Sequence, residues 1–222
     1  SGMPLSNLSA AAGAGRLAWD AMIQTLDLRG TRPTRSELMA LVPRAKVDVQ
    51  VAAGTAAELI ADVRGRGEAA LLDQAERLDG VRPESVRVDP RDVADAVDRL
   101  DPALRAAIEE AIRRVRRASE AQVPPSATVE LGPGARIEQR WHPVGRVGFY
   151  VPGGKAVYPS SVVMNVVPAQ VAGVGSVVLA SPPQAAHGGG VHPTILAAAA
   201  ILGVDEVYAK GGAGAIGALA YG

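Results

Sequence analysis

Apolar residues in the first 120 positions recur at the three- and four-residue spacing of amphipathic helices. The stretch 55–78 shows this spacing, and Gly65 and Gly67 interrupt it. We therefore expect two helices or one kinked helix in this stretch. Asp79-Gly80 follows and predicts its end, because glycine after the last helical turn is a stop signal.

Three further helices are predicted from residues that favour helix N-termini. Thr34 followed by Glu37 forms a capping box, which predicts a short helix over 35–42. Asp89-Pro90 and Asp101-Pro102 each place a capping aspartate before a proline, a pairing that starts helices. The last of these helices carries a row of apolar residues on one face: Leu104, Ile108, Ile112 and Val115.

The pattern changes after Pro124-Pro125. Residues 127–141 alternate between apolar and polar side chains around the turn Gly132-Pro133-Gly134, which predicts a hairpin of two strands. From residue 146 onward, short apolar strands alternate with helical stretches. Strands are predicted at 146–151, 176–181 and 206–210, and helices at 161–174, at 194–202 and after 217. Pro168 is expected to open the second half of the first of these helices.

Strands and helices that alternate in this way predict a parallel sheet with right-handed crossovers. The apolar strands VGFYV and SVVLA suit a sheet that is covered on both faces. The predicted fold class is therefore α/β, with an open parallel sheet over 146–222 preceded by a mostly helical segment over 22–145. Such sheets bind ligands beyond the carboxyl ends of their strands, and the predicted loops at that edge are 152–160, 182–193 and 211–217.

The first of these loops, VPGGKAVYPSS, has features of an anion-binding or nucleotide-binding loop. Gly153 and Gly154 allow backbone N–H groups to approach a ligand closely. Ser160 or Ser161 is expected to cap the next helix, whose N-terminus favours an anion. Tyr150 stands where the strand meets the loop, so its ring can stack on a base or its hydroxyl can bind a ribose. A tight turn with an edge tyrosine explains the same residues, and the pattern alone favours neither interpretation.

The other two loops carry weaker signals. His187 and His192 flank three glycines, and no further ligands stand at metal-binding spacing, so we expect histidines without a metal role. The third loop contains GAGAIG, residues 212–217, a literal G-x-G-x-x-G between a predicted strand and a predicted helix. The acidic residue that accompanies a dinucleotide fingerprint should stand about 20 positions further on, beyond the last residue of this sequence. With 25 glycines in the chain, a chance match is also easy.

Composition and charge exclude several classes of protein. The 222 residues are 48% apolar and 21% charged, which is typical of a soluble globular protein. The formal charge is zero, and the arginines of 113–117 follow Glu109 and Glu110 at helical ion-pair spacing, so no nucleic-acid partner is expected. The absence of cysteine removes disulfides, thiolate zinc sites and cysteine nucleophiles, and it fits a reducing cytoplasm.

Membrane and targeting segments are also not expected. No apolar run approaches the roughly 20 residues that span a bilayer, and the first residues lack the pattern of a signal peptide. Ser1-Gly2 before Met3 resembles the remnant of a cleaved tag. Residues 1–21 are therefore predicted to be an extension without fixed structure.

Four long stretches between Met22 and Gly222 share one resemblance. They read ADVRGRGEAALLDQAERLDGV, GRVGFYVPGGKAVYPSSVVMNVVPAQVAGV, SVVLASPPQ and HPTILAAAAILGVDEVYAKGGAGAIGALAYG. In all four the chain resembles the histidinol dehydrogenases, and VGFYVPGG followed by PSSVVMN is the most specific part.

The resemblance implies an enzyme that oxidises L-histidinol through the aldehyde to L-histidine while reducing two NAD, in the last steps of histidine biosynthesis. It also implies a cytoplasmic, zinc-dependent homodimer with incomplete Rossmann-like domains, akin to the aldehyde dehydrogenase architecture. The zinc ligands and the catalytic Glu-His pair of the family belong to a part that this chain does not match. No catalytic or metal-binding residue is therefore expected in this chain, which is predicted to be inactive alone.

The resemblance also assigns individual residues. Those predicted to bind the cofactor are Tyr150, Gly153, Gly154 and Gly214, and those predicted to line the substrate side of the first loop are Lys155 and Ser160. Relatives read GGAQA in the third loop, and their glutamine contacts NAD. This chain has Gly214 at that position, so only a backbone N–H would remain to make the contact.

Two other interpretations remain open from the residues alone. The chain also suits a shortened, non-catalytic protein that binds a nucleotide or pairs with another subunit. An aldehyde dehydrogenase is less favoured, since its essential cysteine would have to lie outside this sequence. A partial chain should in addition expose apolar surface, so association or domain swapping is expected.

Overall fold

The computed structural model describes residues 26–41, 49–153 and 156–221. The chain forms two compact units, Ser1–Asp48 and Val49–Gly222, and each is described by itself. The extension expected over 1–21 lies outside the described residues, and the division expected near residue 146 stays a prediction.

The first unit contains helix α1, Arg35–Leu41, which begins at the predicted capping box. The backbone N–H of Thr34 donates to Glu37 Oε2 at 2.8 Å, and the N–H of Glu37 donates to Thr34 Oγ1 at 3.4 Å. The two side chains thus satisfy N–H groups that have no partner inside the helix. The predicted start of this helix is confirmed.

The second unit begins with helices, continues with a hairpin and ends with alternating strands and helices. Its described elements are α2 Val49–Arg66, α3 Glu68–Asp79, α4 Pro90–Asp98, α5 Pro102–Glu120, β1 Ala127–Gly132, β2 Ala135–Gln139, β3 Arg146–Tyr150, α6 Pro159–Val171, β4 Ser176–Ser181, a 3-10 turn Ala185–His187, α7 Pro193–Ile201, β5 Val207–Ala209 and α8 Gly212–Tyr221. Among the described residues, no helix has the length and apolar character needed to cross a bilayer.

Glycine and aspartate set the ends of the first four of these helices. Gly67 has a φ of 58° and separates α2 from α3, so the interrupted stretch forms two helices. Gly80 ends α3 in the left-handed region with a φ of 71°, as the stop signal predicted. Asp89 and Asp101 cap α4 and α5 by accepting backbone N–H groups, and proline follows each of them.

The arginine-rich end of α5 forms helical ion pairs. Glu110 accepts a hydrogen bond from Arg114 at 2.6 Å, the predicted pair, and it also accepts one from Arg113 at 2.9 Å. Glu109 accepts a hydrogen bond from Arg105 at 2.9 Å, and not from Arg113, the partner that the spacing predicts. These charges are partly neutralised on the surface of the helix, which agrees with a solvated face.

The central sheet is parallel and has the order β3-β4-β5. The segment 86–88 runs antiparallel along β5, where Arg87 stands opposite Tyr208 and the N–H of Ala209 donates to Val86 O at 2.7 Å. Strands β1 and β2 form a separate antiparallel pair that spans the predicted turn. The predicted α/β class is confirmed: an open parallel sheet follows a mostly helical segment.

Helices cover both faces of this sheet. On one face, Leu179 and Val207 pack with Ile195 of α7, and α4, α5 and α6 extend the same core. On the other face, residues of α2, α3 and α8 pack around Tyr208. Helix α8 approaches β3 so closely that a Cβ at Gly148 would lie 2.7 Å from Leu219 Cδ2.

Two local predictions are wrong. Pro168 lies inside a single helix, α6, and opens no second half. The G-x-G-x-x-G sequence is helical from Gly212 onward, so the loop predicted over 211–217 is reduced to its beginning. The run of small residues after Gly212 packs directly against neighbouring helices, which favours the helix over an open loop.

Candidate functional site

The carboxyl ends of the three parallel strands lie side by side, because Tyr150 is paired with Ala180 and Ser181 with Ala209. Tyr150 is half-buried at the end of β3, where the strand meets the first loop, as predicted. Side chains alternate along a strand, so Tyr150 lies on the same face of the sheet as Gly148 and therefore as α8.

The first loop is held against the segment that follows β4. Gly153 is buried, and a Cβ in its place would lie 2.7 Å from Ser181 Oγ. The side-chain amide of Gln184 donates a hydrogen bond to the carbonyl oxygen of Gly153. Gly153 is therefore required by packing, whatever its role in binding. Gly154 and Lys155 lie outside the described residues, so their predicted roles stay predictions.

Gln184 is a site residue that the sequence did not indicate. Its backbone also exchanges hydrogen bonds within its own loop, with Gly190 and with Gly189, at 2.9 Å each. The side chain is thus fixed on a compact turn and reaches the neighbouring loop. The contact between Gln184 and Gly153 spans 31 residues of sequence. The only sequence signal for a site role of Gln184 is its position shortly after the end of a strand.

The N-termini of α6 and α8 lack capping side chains at this edge. The cap of α6 is Tyr158, which makes no side-chain hydrogen bond to the helix, and Ser160 is exposed in its first turn. The predicted capping by Ser160 or Ser161 is wrong, because Pro159 occupies the first helical position and moves the cap to Tyr158. Helix α8 follows Gly211, and glycine has no side chain that could cap it.

Helix α7, in contrast, is capped by a histidine. His192 Nδ1 accepts a hydrogen bond from the backbone N–H of Thr194 at 3.2 Å. The rings of His187 and His192 are 4.8 Å apart and nearly perpendicular. Burial lowers the pKa of His192, and the charge of His187 lowers it further. Since protonation of Nδ1 removes the acceptor, the cap requires neutral His192.

Gly214, predicted to bind the cofactor, is buried in the first turn of α8. A Cβ at this position would overlap Gln74 Oε1 and would lie 2.9 Å from Lys210 Cε. The space that a larger residue would occupy is therefore filled from α3 and from the end of β5. The absence of a side chain at Gly214 is required by this packing, and its role in cofactor binding stays a prediction.

Among the described residues, no three histidine, cysteine, aspartate or glutamate side chains are grouped so that they could hold a metal ion. His187 and His192 contact each other, and His192 is engaged as a helix cap. The arrangement at the sheet edge therefore offers backbone N–H groups, a tyrosine ring and hydroxyls, which suit an anionic and partly aromatic ligand.

Comparisons with known proteins identify related chains. A family model described as histidinol dehydrogenase matches residues 42–222. The chain is 67% identical over 200 residues to a histidinol dehydrogenase from Leifsonia xyli subsp. xyli, a match that covers 90% of this chain and 46% of that protein. It is 57% identical over 197 residues to one from Nocardia farcinica, covering 89% of this chain and 44% of that protein.

A solved structure agrees with these matches. The crystal structure of histidinol dehydrogenase from Elizabethkingia anophelis superposes with a TM-score of 0.75 at 27% identity, covering 86% of this chain and 43% of that chain. The chain thus spans less than half the length of the relatives it matches.

The contact between Gly153 and Ser181 leads to a double-mutant prediction. Gly153→Ala should lower the free energy of unfolding by about 1–3 kcal/mol, because its methyl group meets Ser181 Oγ. Ser181→Ala should be neutral or stabilising alone, since the buried hydroxyl has no hydrogen-bond partner. The double variant should recover much of the loss in urea denaturation. Gly145→Ala is the matched control, because a Cβ there meets nothing. A double variant no more stable than Gly153→Ala would contradict this packing.

The histidine cap predicts a loss of stability in acid. His192 has a folded pKa below its unfolded value of about 6.5, so the unfolded chain binds the proton more tightly. Its contribution is fully present above pH ~6.5, the unfolded pKa, and is lost as the pH falls from there through the lower pKa of the folded state. His192→Asn keeps a capping acceptor without titrating, so it should flatten the slope of unfolding free energy against pH, measured by urea denaturation between pH 5 and 8. His187→Asn should reduce the slope without abolishing it, and an unchanged slope in His192→Asn would show that another group is responsible.

Proposed function

Because this chain belongs to the histidinol dehydrogenase family, we propose that it takes part in the NAD-dependent oxidation of L-histidinol through L-histidinal to L-histidine. The observation that carries the proposal is the match over residues 42–222, which includes the whole carboxyl edge of the sheet. The family is one of oxidoreductases in histidine biosynthesis. The proposal includes a cytoplasmic location and a homodimer.

The carboxyl edge fits a dinucleotide. The N-termini of α6 and α8 lack capping side chains, and such helix ends attract phosphate through their N–H groups and their dipoles. Tyr150 stands at the end of β3, where its ring can stack on a base or its hydroxyl can bind a ribose. Gly153, held by Ser181 and Gln184, keeps the first loop close to the sheet. NAD, when bound, supplies the hydride acceptor.

The role of this part of the chain is to bind and orient. Tyr150 would fix one end of the dinucleotide, and the two helix N-termini would fix its phosphates. Ser160 is exposed in the first turn of α6, so its hydroxyl is available to a ligand lying over that helix end. At Gly214 the packing leaves only the backbone to contact a cofactor.

The described residues do not fit the zinc ion of the family. They contain no group of three suitable side chains, and the two neighbouring histidines are engaged with each other and with a helix cap. No step through zinc is derived from this chain. In the proposal, the metal ligands and the groups that transfer protons belong to the part of the family's sequence that this chain does not cover.

Exposed apolar side chains support pairing with another chain or subunit. Val129, Leu131 and Ile137 of the hairpin are 53%, 63% and 57% exposed, and Trp141 close to its end is 54% exposed. Apolar side chains grouped on one exposed hairpin are typical of an interface. The same observation supports the second candidate function, a non-catalytic subunit that binds a nucleotide and pairs with a partner.

Tyr150 is predicted to carry a measurable part of NAD affinity. Tyr150→Ala should raise the Kd for NAD by roughly 5- to 150-fold, because stacking on one base contributes about 1–3 kcal/mol. Tyr150→Phe separates the two possible contacts, since it keeps the ring and removes the hydroxyl. Titration calorimetry measures both, and Tyr221→Ala, an exposed tyrosine outside the edge, is the matched control. Equal affinity in Tyr150→Ala and the unaltered chain would remove Tyr150 from the proposed site.

The purified 222-residue chain is expected to bind without catalysing. Incubated with L-histidinol, NAD and zinc, it should produce no NADH, because the described residues provide no metal group and no assigned proton-transfer pair. NADH absorbance measures the outcome, with a complete histidinol dehydrogenase as the positive control. Histidinol-dependent NADH from the chain alone would overturn this division of roles.

A further inference from the structure

A partly enclosed cavity of about 340 Å³ lies between the sheet and helices α2, α3 and α8. Most of its wall is apolar, with Val63 from α2, Leu71 from α3, Val86 from the edge segment and Leu219 from α8. Neither Tyr150 nor Gly153 lines it, although Ala180, which is paired with Tyr150 in the sheet, does. Its volume lies within the range of small-ligand pockets.

Two basic residues, Arg87 and Lys210, line this cavity. Arg87 stands directly opposite Tyr208 in the antiparallel bridge, so both side chains lie on one face. Lys210 lies just past the end of β5, two residues after Tyr208, and it lines the cavity as well.

Neither basic group has a hydrogen-bond partner in the described structure. Lys210 is 1% exposed, and its Nζ is buried without a partner. Arg87 is exposed, and the one hydrogen bond recorded for it comes from its backbone N–H to Ser85. The hydroxyl of Tyr208, which lies between them, already donates to Glu206 at 2.9 Å.

An unpaired buried ammonium is costly, and buried polar groups are nearly always partnered. Burial lowers the pKa of Lys210, and the opposing attraction of Asp79 does not restore it. Glu68 at the cavity is exposed and is the acidic residue among those that line it. Among the lining residues the two basic side chains outnumber the acidic one, while Asp79 attracts Lys210 and Glu206 attracts Arg87 from outside the lining.

We propose that this cavity binds a small carboxylate with a hydrocarbon body. The carboxylate would lie between Lys210 and Arg87, and the body would pack against Val63, Leu71 and Leu219. A carboxylate needs few hydrogen-bond donors, and the hydrocarbon part of the ligand would contact the apolar residues that line the cavity. Inorganic phosphate fits poorly, because several of its oxygens would face apolar side chains without partners. The proposal does not depend on the proposed function.

The test uses the purified chain and 4-methylpentanoate, followed by chemical-shift titration. Saturable binding is expected, and the neutral analogue 4-methylpentanamide should bind about tenfold more weakly, because hydrogen bonds to charged groups are the stronger ones. Lys210→Met and Arg87→Gln should each remove most of this preference. Ala218→Leu should weaken both ligands by filling the cavity. Arg91→Gln, an exposed arginine on α4, is the matched control.

A loss of ligand preference in Arg87→Gln can be distinguished from a loss of folding. Because Arg87 is exposed, this variant should have the same melting temperature as the unaltered chain. L-Leucine distinguishes two sources of the same chemistry. If it binds more tightly than 4-methylpentanoate, the ligand is an amino acid whose ammonium meets Glu68; if more weakly, it is a simple acid. Equal affinity for acid and amide, absence of saturable binding, or displacement of the acid by NAD would overturn the proposal.

Discussion

The central strand β4 imposes the constraint on which the rest of the second unit depends. It is paired on both edges, and Val178 and Leu179, which point to opposite faces, are 2% and 0% exposed. Helices must therefore cover both faces, since neither can be left to water. Helices α6 and α7 cover one face, and α8 with α2 and α3 covers the other. This arrangement brings the three carboxyl ends, and the loops that leave them, to one edge.

The segment after β4 then determines how close the neighbouring loops can come. Ser181 stands against Gly153 on one side, and Pro182 stands against Gly211 on the other, 2.9 Å from where a Cβ would be. Gly153 and Gly211 must both be glycine, because their backbones pack directly against the side chains of Ser181 and Pro182. Packing within the protein is therefore sufficient to explain why Gly153 and Gly211 are glycines. In the proposed function, the same backbone also has to bind an anion at the helix N-termini.

Local signals predicted most of the elements, because each acts within a few residues. The aspartate-proline pairs, the capping box and the apolar strands behave in the structure as their short-range chemistry requires. Two of the failures lie where distant parts of the chain pack together, whereas the missed cap of α6 depends on the neighbouring Pro159. Gln184 reaches Gly153 across 31 residues, and Gln74 packs against the first turn of the helix that begins at Gly212. Spacing along the sequence contains no information about such contacts.

Gly214 connects the two sites of this chain. Gln74 donates through Nε2 to Leu59 O and to Asp62, so its oxygen is directed towards Gly214 and fills the position of a side chain there. Lys210 passes along the same glycine on its way to the cavity. A glutamine at 214, as the resemblance indicates for relatives, would have to displace both. The buried Lys210 and the absence of a side chain at Gly214 therefore belong to one packing arrangement, which requires the middle glycine of the G-x-G-x-x-G pattern in this chain.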